Sequence, residues 1–103
     1  MSKNYLVTIF WDYTSEEPYE NCTITYPSQS DFDYDGYNVI SGPGRNGITI
    51  DIYKSLEEAI LKSHFNPEYI NYMLDRDDTI LKNEILKNYT WDENFGLIKK
   101  QGD

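Results

Sequence analysis

One cysteine, Cys22, and one histidine, His64, are all that this 103-residue chain offers for thiol or imidazole chemistry. A lone thiol cannot close an internal disulfide, and secreted domains of this size usually need such staples. The expected setting is therefore cytoplasmic. Four prolines and six glycines, scattered along the chain, make no linker or low-complexity tract. No uninterrupted apolar run is long enough for a secretion signal or a membrane span, so the chain is expected to begin where it is written and to stay off membranes. The acceptor patterns at Asn21-Cys22-Thr23 and Asn88-Tyr89-Thr90 are then chance matches.

Positive charge is scarce too. Nine Lys and Arg face eighteen Asp and Glu, for a formal net charge of −9. Between Lys3 and Arg45 there is no basic side chain over 41 residues, yet the stretch carries Asp12, Glu16, Glu17, Glu20, Asp31, Asp33 and Asp35. The same stretch holds Tyr5, Tyr13, Tyr19, Tyr26, Tyr34 and Tyr37. Such a field repels phosphates and anionic membranes and attracts basic protein surfaces. Direct DNA or RNA binding is excluded on the same ground, because counterion release requires Lys and Arg to meet phosphates.

What the chain does have is aromatic mass. Ten Tyr, four Phe and two Trp within a hydrophobic fraction of 39% can bury enough area to offset chain entropy, unlike a disordered acidic tail. Residues 1–103 are expected to form a single globular domain.

Period-two alternation predicts a strand from Tyr5 to Asp12, apolar on both faces and so covered on both sides. A loop over Thr14–Asn21, containing Pro18, precedes a second strand through Cys22, Ile24 and Tyr26. Residues 28–36 read as a loop ending in an Asp35-Gly36 turn, followed by a third strand over Tyr37–Ser41. Pro43-Gly44 suits a type II turn that joins this strand to a fourth, carrying Ile48, Ile50 and Ile52. Ser55 with Glu58 forms a capping box for a helix with Leu56, Ala59 and Ile60 on its apolar face, ending before Asn66-Pro67. Asn66, Pro67 and Glu68 then open another helix, with Ile70, Met73 and Leu74 on its inner face. Asp78 caps a third helix bearing Ile80, Leu81, Ile85, Leu86 and Tyr89, and a single bent helix over 67–89 fits nearly as well. Trp91, Phe95, Leu97 and Ile98 predict a tail that packs back as a strand, and Lys99–Asp103 frays. The expected fold is α+β: an antiparallel sheet of about four strands from the N-terminal half, covered by two or three C-terminal helices.

Four motifs invite chemistry. Asp31, Asp33 and Asp35 with Gly36 match the first half of a calcium loop, but Gly42 stands where the bidentate Glu belongs and Asn38 where an aliphatic belongs. Gly42 to Gly47 spells G-x-G-x-x-G, yet a strand rather than a helix follows it and Pro43 removes an amide that would cradle phosphate. His64, near a helix end, has no nucleophile that sequence can pair with it, and Cys22 lies mid-strand like a small core residue. Asp75, Asp77 and Asp78, interleaved with Arg76, read as a solvated cap or turn. No enzyme activity, cofactor or resident metal is expected; calcium at Asp31, Asp33 and Asp35 is the alternative.

The acidic, tyrosine-rich half remains as the functional feature. Tyr supplies rigid contact area with a polar tip, and carboxylates pair with Arg and Lys across an interface. The expected partner-binding residues are Asp12, Tyr13, Glu16, Glu17, Tyr19, Glu20, Asp31, Asp33, Tyr34, Asp35 and Tyr37. An acidic surface of this kind also serves solubility alone. In size and composition the chain is similar to the small acidic inhibitors that phages encode against restriction and CRISPR nucleases, and to immunity proteins that neutralise nuclease toxins. That resemblance, one of class and not of motif, implies a stoichiometric inhibitor, and in some such proteins a DNA mimic, that occludes the basic nucleic-acid channel of a nuclease or effector complex in the host cytoplasm.

Overall fold

In the computed structural model, which describes residues 3–14, 16–41 and 46–100, the order of elements is strand-rich at both ends. Strands β1 (Tyr5–Asp12), β2 (Tyr19–Thr25), β3 (Tyr37–Ser41) and β4 (Asn46–Tyr53) precede helix α1 (Leu56–Lys62). Strand β5 (Ile70–Tyr72), helix α2 (Arg76–Leu86) and a hairpin of β6 (Tyr89–Asp92) and β7 (Gly96–Lys99) come after it. Short 3-10 helices span Gln29–Tyr34 and Pro67–Tyr69.

Five strands make one mixed sheet in the order β3-β4-β1-β2-β5, with β6 and β7 a separate pair. β1 is central, antiparallel to both β2 and β4, and its pairing sets Val7 opposite Ile24 on one side and Asp51 on the other. β3 and β4 pair antiparallel, as expected of a hairpin. The Pro43-Gly44 turn and residues 42–45 of the Gly42–Gly47 motif lie outside the described residues, and Asn46 and Gly47 open β4.

The fold is α+β, with three departures from the expected plan. The sheet has five strands and is mixed, because β5 runs parallel to β2, with Ile70 opposite Cys22 and Tyr72 opposite Ile24. The helix expected from Pro67 is a single 3-10 turn: Asn66 caps it by accepting from Glu68 N–H at 3.0 Å, and Ile70 then leaves in extended backbone. Ile70 buried, Asn71 exposed and Tyr72 half-buried is the period-two pattern of a strand. The helices are accordingly not a C-terminal block; a 3-10 helix lies between β2 and β3, β5 separates α1 from α2, and Tyr89, expected at the end of a helix, begins β6.

Elsewhere local chemistry and structure agree. Ser55 Oγ accepts from Glu58 N–H at 3.1 Å to start α1, whose Leu56, Ala59 and Ile60 are all buried. Ser63 caps the end of the helix, and His64 after it is a non-glycine residue at φ 53°, in the left-handed conformation that usually follows a helix C-cap as glycine. Asp92 Oδ1 accepts from the amides of Asn94 and Phe95, and Gly96 at φ 82° completes the β6–β7 turn. β2 starts at Tyr19, three residues earlier than the polar sequence before Cys22 indicates.

Both α-helices pack on one face of the sheet. The core joins Tyr5, Val7, Cys22, Ile24 and Ile70 to Leu56, Ala59, Ile60 and Ile85, and Ile9, Tyr53 and Tyr72 pack against it. Among the described residues no helix is long and apolar enough to cross a membrane.

Candidate functional site

The side chains that alternate away from the helices define the second face. By register these are Leu6, Thr8 and Phe10 on β1, Thr23, Asn21 and Tyr19 on β2, Ile48, Ile50 and Ile52 on β4, and Tyr37 and Val39 on β3. Leu6 is buried, whereas Phe10 and the three isoleucines are only partly so, and Tyr19, Tyr37 and Val39 are exposed. None of them belongs to the helix-side core. The strand β1 is therefore not covered by helices on both sides. Its apolar second face continues across β4 and β3, and among the described residues neither α-helix packs on it.

The expected partner-binding residues do not form one patch. Asp12 and Tyr19 pair across the β1–β2 hairpin end, with Tyr19 packed on Phe10 at 5.6 Å between ring centroids. Glu16 and Glu17 lie exposed in the loop of that hairpin. Tyr13 and Glu20 are joined by a hydrogen bond from the phenol to the carboxylate, and with Trp11 and His64 they line a cleft on the helix side. Asp31, Asp33, Tyr34 and Asp35 sit toward the opposite end of the sheet, while Tyr37 pairs with Ile50, level with Thr8 in the middle of β1. Asp35 Oδ1 accepts from Ile52 N–H at 2.8 Å, level with Leu6 on β1. From Leu6 to Asp12 a strand spans roughly 20 Å. Two acidic aromatic clusters thus stand at the two ends of the open face, with Phe10, Ile48, Ile50, Val39 and Tyr37 between them.

Several of these carboxylates have local structural partners. Asp12 accepts from the backbone and hydroxyl of Thr14, which hold its carboxyl below the usual range. Asp31 accepts from Ser28 N–H at 2.7 Å and from Ser28 Oγ at 3.0 Å, capping the start of the 3-10 helix. Asp31 and Asp35 are thereby directed to different backbone groups. Among the described residues no three His, Cys, Asp or Glu side chains converge as a metal site would require.

A second polar cluster is one that the sequence reading missed. Asp75, not Asp78, caps α2, accepting from Asp78 N–H at 2.8 Å. Asp78 is not solvated: it is 5% exposed and accepts from the hydroxyls of Tyr5, at 3.0 Å, and of Tyr26. Lys3 Nζ bridges Asp75 at 2.9 Å and Asp78 at 3.3 Å. Hydrogen bonds from Asp78 N–H and Lys3 bring the Asp75 carboxyl down to about 2, and burial together with the bond to Asp78 pushes the Tyr26 phenol up to about 12. The alternation that places Tyr5 and Tyr26 on the helix side was the signal available for this cluster.

Cys22 is fully buried in the core with Val7 and Ile24, and desolvation pushes its thiol up to about 12. The hydroxyl of Tyr72 is buried with no hydrogen-bond partner among the described residues, and burial drives its pKa upward. Comparison of the chain with protein-family models, with curated proteins and with solved structures returns no match.

Proposed function

We propose that this chain is a protein-binding inhibitor that works by docking, without chemistry or cofactor of its own, on a basic nucleic-acid-binding surface of a partner protein. One observation carries the reading: an apolar sheet face that neither α-helix covers, bounded at both ends by carboxylates, in a chain of net charge −9. Protein interfaces combine an apolar, aromatic centre with a polar rim, and here Phe10, Ile48, Ile50, Tyr37 and Val39 supply the centre. Asp12, Glu16 and Glu17 at one end and Asp31, Asp33 and Asp35 at the other supply a rim that steers toward Lys and Arg. A channel built for a phosphate backbone presents that complementary charge, which makes a nuclease or effector complex the fitting partner. A nuclease toxin in that role would make the chain an immunity protein.

The test is capture of nucleases from a host lysate on the immobilised protein, then competition with the captured enzyme's own nucleic acid. Binding should fall with salt and with competitor. Asp31→Lys with Asp33→Lys, and separately Glu16→Lys with Glu17→Lys, should each weaken it severalfold, while Phe10→Asp should abolish it without unfolding the protein. A complex that survives all three variants, or one that nucleic acid does not compete with, would overturn the reading.

A further inference from the structure

On the helix side of the sheet, away from the open face, a cleft of about 690 Å³ separates β5 and the 3-10 turn before it from α2 and the β6–β7 hairpin. That volume falls in the range of small-molecule sites, roughly 300 to 1,000 Å³. Tyr72, Tyr89 and Trp91 contribute aromatic lining, and Lys82 and Lys100 line the cleft together with one acid, Glu68. In a chain with half as many bases as acids, two lysines against one carboxylate reverse the local balance.

Neither lysine has an ion pair among the described residues; the pairs there belong to Lys3 and Lys62. Lys82 Nζ lies 4.5 Å from the centroid of the Tyr72 ring, a cation–π contact that holds the ammonium at the cleft wall and leaves its charge unneutralised. A ligand with a flat π-system can use the aromatic lining, and a negative group can complete the lysines. The overall −9 charge and Glu68 oppose a polyanion such as a nucleoside triphosphate.

We infer that this cleft is a binding site for a flat aromatic monoanion, a bicyclic carboxylate or sulfonate, with its ring against Trp91 and Tyr89 and its acid group toward Lys82 and Lys100. The site stands independently of the open sheet face.

The experiment is a titration of the intact protein with 2-naphthoate and, in parallel, with the neutral 2-naphthalenemethanol, read by amide and indole NMR shifts. Naphthoate should give saturable shifts confined to residues 66–72 and 82–100, including the Trp91 indole and not that of Trp11. Lys82→Gln and Lys100→Gln should each weaken naphthoate up to about fivefold, the scale of a partly exposed charge pair, and leave the alcohol unchanged. Trp91→Leu should weaken both probes. Absence of saturation at millimolar probe, equal affinity for acid and alcohol, shifts centred on Trp11, or indifference to both lysine substitutions would each overturn the assignment.

Discussion

Replacing Asp78 with alanine tests whether the polar cluster at the start of α2 fastens the helix to the sheet. The carboxylate is 5% exposed and accepts from two tyrosine hydroxyls and Lys3. A hydrogen bond to a charged group contributes about 1.5–3 kcal/mol, and the Tyr5 hydroxyl, in a residue itself 5% exposed, makes its bond to this carboxylate. Tyr26 is only partly buried and keeps its bond from Asp75 N–H, so its loss is smaller, about 1 kcal/mol. Lys3 keeps Asp75 and, being exposed, adds little. Relief of the desolvated carboxylate offsets part of this, leaving a net loss of about 3 kcal/mol, or roughly 12–24 °C in Tm for a domain of this size. Urea unfolding monitored by fluorescence and circular dichroism would measure it. The decisive comparison is Tyr5→Phe, which should cost about 1.5–3 kcal/mol in the parent and close to nothing in the Asp78→Ala background, where its acceptor is already gone. Equal costs in both backgrounds, or an Asp78→Ala loss under about 0.5 kcal/mol, would refute the account.

Tyr72→Phe removes a buried hydroxyl without a partner among the described residues and should raise stability by about 1 kcal/mol, a Tm gain of about 4–8 °C; a loss instead would mean that the hydroxyl is satisfied. His64→Gly relieves a left-handed backbone position after α1 and should gain about 0.5–1 kcal/mol in thermal melts, whereas destabilisation would assign the imidazole a packing role that outweighs the strain. Stability should hold up to about pH 9 and fall as the pH rises through about 12. The unfolded chain releases the Cys22 thiol proton near 9 and the Tyr26 proton near 10, while the folded chain keeps both to about 12. Cys22→Ala should therefore move the onset of alkaline destabilisation up by about one pH unit, and an unchanged onset in pH-dependent urea titrations would contradict that assignment.

The strands β1, β3 and β4 and the helix α1 were legible because each carries its own period and a recognisable start or stop. β5 was not, because Asn66, Pro67 and Glu68 are a sound helix opening and the structure honours it for one 3-10 turn only. From Ile70 onward the backbone is set by pairing with β2, 48 residues earlier, which no local signal reports. The shift of the α2 cap has a similar cause: Asp75 and Asp78 are both competent caps, and Asp78 is claimed by the hydroxyls of Tyr5 and Tyr26. At the site, neighbours in sequence were read as neighbours in space. The antiparallel return of β2 and the connection onward to β3 carry residues 12–20 and 31–35 to opposite ends of the sheet. The apolar surface between them was visible as Ile48, Ile50 and Ile52 and the second face of β1, but its lack of a helical cover is a property of topology.

Asp51 gives that topology a further meaning. It interrupts the run Ile48-Thr49-Ile50-Asp51-Ile52, a stretch whose β-branched, apolar character suits intermolecular strand stacking as well as it suits β4. In the folded sheet it lies opposite Val7 on the helix side, where burial and then Asp35 raise its carboxyl pKa, so the native state gains nothing from the charge. In an unfolded or partly folded chain the same carboxylate is solvated and repels its copies when two such segments align. β4 can pair locally with β3, but its other edge stays open until it meets β1, whose register runs from Asp12 opposite Asn46 to Tyr5 opposite Tyr53, and long-range pairing of that kind is slow. Asp51 is thus a gatekeeper, placed where it costs the finished fold a little and protects the interval before the sheet closes.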